Sequence, residues 1–109
     1  MISSAIAILL IFAAPGNSAS MSRQGYAKCL QDFARTSAAK KMDASAFESA
    51  LAAVCRDKEA LFKTTMVDSE VKLGIKRAVA EKGMQQEIAD YRLMAKEEFQ
   101  AELASAPKP

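Results

Sequence analysis

Histidine and tryptophan are absent from this chain of 109 residues, and cysteine occurs only twice. The first absence removes histidine-based triads, the commonest general base, the commonest metal ligand and haem attachment through C-x-x-C-H. No Walker loop, dinucleotide-binding glycine fingerprint or G-x-S-x-G elbow takes their place. Glu97, Glu98 and Glu102 could act as paired carboxylates, but with Lys96 beside them on one helix they read as a solvated face. Zinc would have to recruit carboxylates around two cysteines that lack C-x-x-C spacing. The chain is therefore expected to be no enzyme and to hold neither cofactor nor metal.

Aromatic residues are also scarce, at 6% of a chain that is 50% hydrophobic, so the apolar content is alanine and aliphatic and the core must be thin. A small domain with such a core gains from a covalent staple. Charge of one sign is lacking too: 15 basic and 13 acidic residues, interspersed, leave a net charge of +2. That balance excludes the electrostatic footprint of a nucleic-acid binder. Proline is missing from the whole interval between Pro15 and Pro107. Together with abundant Ala, Lys, Glu, Gln, Leu and Met, and no strand-like alternation, this predicts helix almost throughout.

The opening stretch "MISSAIAILLIFAAPGNSASM" carries no charged side chain and has an apolar run from Ala5 to Ala14. The run is shorter than the about 20 residues a bilayer-spanning helix needs, and it has the length of a signal-peptide core, followed by Pro15-Gly16 and small residues. Residues 1–20 are expected to be an export signal, cleaved after Ala19 or Ser20, or else a retained N-terminal hydrophobic segment. The second option stays open because no Lys or Arg precedes the run. A single helical domain over 21–104 and a disordered tail over 105–109 complete the expected organisation, with a periplasmic or secreted location.

Tyr26, Cys29, Leu30, Phe33, Ala34 and Ala38 recur at helical spacing and predict a first helix over Ser22–Lys40. Asp43 can cap the next helix with Met42 and Phe47 as a hydrophobic staple, and Ser45 with Glu48 offers a competing capping box. The second helix carries Phe47, Leu51, Val54, Cys55, Leu61 and Phe62 on one face, with Glu59 and Lys63 as an i,i+4 pair. Near Thr64–Asp68 the apolar stripe changes phase toward Val67, Val71, Ile75 and Ala78. Thr65 followed by Asp68 is a usable cap, so a break or bend is expected there; the alternative is one unbroken helix that changes partner along its length. Gly83 reads as a stop before a final amphipathic helix through Met84, Ile88, Tyr91, Ala95, Phe99 and Leu103.

The two cysteines flank the Met42-Asp43 turn almost evenly. If the first two helices pack antiparallel about that turn, each residue advances both by the same rise of about 1.5 Å, and Cys29 comes level with Cys55, Leu30 with Val54 and Phe33 with Leu51. A disulfide between Cys29 and Cys55 follows, at a Cα separation of roughly 5 to 6 Å. The expected fold is all-α: a disulfide-closed antiparallel helical hairpin followed by one or two further helices, in a small three- to four-helix bundle that could be elongated.

Candidate contacts are surfaces. Tyr91, Met94 and Phe99 on the last helix could meet a partner, and Lys72, Lys76 and Arg77 form a compact basic patch suited to an acidic partner or an anionic lipid headgroup. These features suggest an exported, non-enzymatic chaperone, inhibitor or adaptor with an unidentified protein partner. Two other readings remain: an oligomerising protein held to the membrane by a retained first segment, and a small-ligand or soft-metal carrier using some of its six methionines. By class, an exported and nearly all-helical chain of this size resembles the small periplasmic stress chaperones of the Spy type, whose L-T-x-x-Q motifs are absent here.

Overall fold

A computed structural model describes residues 17–105, which form four helices and, among the described residues, no strand. The expected export segment up to residue 16 and the tail from residue 106 lie outside the described residues. Helix α1 spans Asn17–Ala39, α2 Ala44–Val54, α3 Arg56–Lys72 and α4 Arg77–Ser105. The first helix thus starts earlier than Ser22, and both expected cleavage points fall inside it.

Helix α1 buries Ser22, Tyr26, Leu30, Ala34 and Ala38, a strict four-residue stripe that sits in the groove between its neighbours. It ends in a Schellman motif: the Lys41 N–H donates to the Ala38 carbonyl and the Met42 N–H to the Ser37 carbonyl, at 3.0 and 2.9 Å. Lys41 takes the left-handed position of this motif, with φ 54°. The chain then reverses and Asp43 caps α2, accepting from the Ser45 N–H at 3.2 Å and the Ser45 hydroxyl at 2.6 Å. Ser45 therefore serves Asp43 in place of forming its own capping box, and Glu48 pairs instead with Lys96 of α4 at 2.8 Å.

The disulfide forms as expected, with Cys29 and Cys55 6.0 Å apart at Cα. The second arm of the hairpin is not one helix, however. Cys55, at φ −111° and ψ 24°, ends α2 and starts α3, so the helical register shifts at the bonded cysteine. The shift turns Val54 and Leu61 outward, to 48% and 52% exposure, although periodicity places both on the buried face.

No break occurs at Thr64–Asp68: α3 is continuous through it. The phase change has the other cause, a change of partner. Ser22 of α1 lies against Thr65 of α3 at 2.6 Å between hydroxyls, and farther along α3 meets α4, where Asp68 pairs with Arg77 at 3.5 Å. The actual stop is Gly74, at φ 97°, where the Gly74 N–H donates to Val71 and the Ile75 N–H to Glu70, both at 3.0 Å. Helix α4 runs through Gly83 without interruption, and its buried stripe of Ala80, Met84, Ile88, Ala95 and Phe99 follows the expected spacing.

Helix α4 lies parallel to α1 and antiparallel to α3. The ion pairs Arg23–Glu87 at 3.2 Å and Arg35–Glu98 at 3.3 Å fix the first relation, and Asp68–Arg77 at 3.5 Å the second. Exposed pairs of this kind contribute roughly 0–1 kcal/mol each, so they record the register more than they stabilise it. Stability comes from two aromatic clusters. Phe47 lies between Phe33 and Phe99, with centroids 5.3 and 4.1 Å away, and Phe62 contacts Tyr26 and Tyr91 at 5.7 and 5.6 Å. Each such pair adds about 0.5–1.5 kcal/mol beyond the area it buries.

Candidate interaction surfaces

Three features stand out once the helices are placed. The first is a polar clamp where α1, α3 and α4 meet. Glu59 of α3 accepts from the Tyr26 hydroxyl of α1 at 3.0 Å and from Arg92 Nη2 of α4. Burial, then the charge of the Glu59 carboxylate and its hydrogen bond, push the Tyr26 hydroxyl up to about 12. Burial works most strongly on Arg92 and against its charge, but the hydrogen bonds and charges of Glu59 and Tyr26 together outweigh it and the guanidinium pKa is raised. A phenol that stays neutral and a guanidinium that stays charged move no proton near neutral pH. The arrangement joins three helices and offers no acid–base chemistry. Glu59 is thereby diverted from the expected pairing with Lys63.

The second feature is an open groove between α1 and α4, with a volume of about 230 Å³. Ala27, Leu30 and Gln31 form one wall, and Tyr91, Met94, Ala95 and Glu98 the other. Its lining is mostly apolar with a polar edge, because α1 and α4 are parallel here and their small residues Ala27 and Ala95 leave space between the backbones. Met94 stands 60% exposed on the wall.

The third feature is the α3–α4 turn. Lys72, Lys76 and Arg77 come together there as the basic patch, all exposed. Leu73, Ile75 and Val79 stand among them, with Leu73 80% and Val79 61% exposed.

Of the residues singled out from the sequence, Tyr91 and Met94 share the groove and the three cations share the turn, at the other end of α4's first turns. Phe99 belongs to neither. It is 1% exposed and stacked on Phe47, so it is spent on the core and unavailable to a partner of the folded chain. The methionines among the described residues do not gather: Met84 is buried, Met42 and Met66 pack at the core's margin, and Met21 and Met94 are exposed. Sequence reasoning missed Ala27 and Gln31, which carry no signal of their own, and it missed the exposure of Leu73 and Val79. The adjacent cations in "KLGIKRAV" were the available hint. Among the described residues no cluster of acidic or cysteine side chains is suited to a metal ion, and no helix is long and apolar enough to cross a membrane. No protein-family model, curated protein or solved structure matches this chain.

Proposed function

We propose that this chain is an exported, non-enzymatic protein that acts by receiving an apolar side chain of a protein partner, as a chaperone, inhibitor or adaptor does. The α1–α4 groove carries this reading. At about 230 Å³ it is smaller than the roughly 300–1,000 Å³ of pockets that enclose small ligands, and it is open along its length. Such a groove fits one large aliphatic or aromatic side chain, with Gln31 and Glu98 at the edge to orient a peptide backbone. Its size and the dispersal of the methionines argue against the carrier reading. The disulfide supports an oxidising compartment, where such bonds persist.

Photo-crosslinking from position 94 in the intact host tests the groove, with position 97 on the outer face of α4 as control. Adducts to a protein from 94 and none from 97 support the reading; equal yields, or none from either, refute it. Export is tested separately by mass spectrometry of the mature N-terminus, where a start at Ser20 or Met21 is expected. An intact Met1 would favour the second reading, a chain held at a membrane by its first segment.

A further inference from the structure

We propose that the α3–α4 turn is a lipid-facing tip that docks on an anionic membrane surface, with Leu73, Ile75 and Val79 entering the headgroup layer and Lys72 and Lys76 contacting lipid anions. The segment Lys72–Val79 contains three cations and no acidic residue. Its three large aliphatic side chains are all exposed. Neither Lys72 nor Lys76 joins an ion pair among the described residues, whereas Arg77 shares its charge with Asp68 at 3.5 Å. The nearest acidic residues, Asp68, Glu70 and Glu81, are set back along the two helices by about one turn from Leu73 and Ile75.

The exposure is built in. Hydrogen bonds from Gly74 to Val71 and from Ile75 to Glu70 hold the turn, so Leu73 and Ile75 are presented on either side of Gly74 by a fixed backbone.

Charge complementarity selects the occupant. Alternating aliphatic and cationic side chains within one turn match an interface whose interior is apolar and whose surface is negative. A purely acidic partner would leave the aliphatic side chains in water.

The full chain is tested with vesicles of phosphatidylcholine alone and of phosphatidylcholine with phosphatidylglycerol. Because the chain has no tryptophan, Leu73→Trp supplies a single reporter at the tip. Its emission is expected to shift to the blue with the anionic vesicles and to stay unshifted with the neutral ones. Lys72→Gln with Lys76→Gln is expected to weaken binding to the anionic vesicles about 25-fold, at about fivefold per lysine near a charged surface. The uncharged first segment contributes equally to both proteins, and circular dichroism checks that each folds. An unshifted reporter, equal binding of the two proteins, or a reporter that responds to polyglutamate and not to vesicles would overturn the proposal. The last result would assign the turn to an acidic polypeptide.

Discussion

Removing the Cys29–Cys55 bond should uncouple α2 before it unfolds anything else. The bond closes a sequence separation of 26 residues, and on the loop-entropy relation this restricts the unfolded chain by on the order of 3.5 kcal/mol. A domain of this size has about 5–15 kcal/mol in total, so the loss is large. It is also local. The bonded cysteine is the joint between α2 and α3, and α2 is otherwise attached by Phe47, Leu51 and the Glu48–Lys96 pair. Because Cys55 is buried, Cys29→Ala with Cys55→Ala is a cleaner perturbation than a reductant. At about 4–8 °C per kcal/mol for a domain near this length, its melting midpoint by circular dichroism should fall by roughly 14–28 °C. Hydrogen exchange should show protection lost first across residues 44–54 and kept along α3 and α4. A variant within about 1 kcal/mol of the parent, or protection lost evenly over all four helices, would refute this account.

Phe47→Ala, which opens the stack between Phe33 and Phe99, should cost about 3–5 kcal/mol in urea unfolding; a cost below about 1 kcal/mol would mean that the stack closes over the gap. In a Tyr91→Phe background, the absorbance of Tyr26 at alkaline pH should titrate near 12 in the folded chain. Because that value is raised above the unfolded one of about 10, the contribution of Tyr26 to stability is complete below about pH 10 and is lost as pH rises through the folded value. A folded midpoint near the unfolded one would remove the clamp. Lys41→Gly, at φ 54°, should raise stability by about 0.5–1 kcal/mol, since relief of the left-handed strain exceeds the entropy added to the unfolded chain; a loss on guanidine unfolding would contradict the motif assigned there.

The parts of the fold that were legible are those set by local chemistry. Asp43 caps α2 because its carboxylate reaches the Ser45 hydroxyl and the Ala46 and Ser45 N–H groups, a preference expressed by a few adjacent residues, and these hydrogen bonds, the hydroxyl's first, hold that carboxyl below its ordinary range. The disulfide was legible because the rise per residue is the same in both arms and the turn was well marked. Periodicity failed where it presupposes one partner. The outward turn of Val54 and Leu61 depends on the joint at Cys55, and a cysteine in a helical run gives no sign of a break. The two glycines show the same limit: Gly74 and Gly83 sit in similar sequence, and only the point at which α4 must fold back on α3 decides which becomes the stop. The clamp escaped notice for a related reason, since Lys63 is a nearer match for Glu59 along the chain than Arg92 is.

Three ties hold the helices together, and all lie on one side of the Ser22–Thr65 contact. The disulfide joins α1 to the α2–α3 joint, the Phe33–Phe47–Phe99 stack joins α1, α2 and α4, and the Tyr26–Glu59–Arg92 clamp joins α1, α3 and α4. Beyond that contact Val67 of α3 and Ala80 of α4 are buried. A leucine that is 80% exposed at the turn between these helices contributes almost no burial to folding, so substituting it should barely change stability. Single exposed leucines are common, but Leu73, Ile75 and Val79 are gathered on one held turn among cations. Among the described residues, the turn with least to do in folding is therefore the one at which aliphatic and basic side chains stand exposed. A change there can be read as an effect on binding, while the same experiment at Tyr91 or Phe99 would alter the core as well.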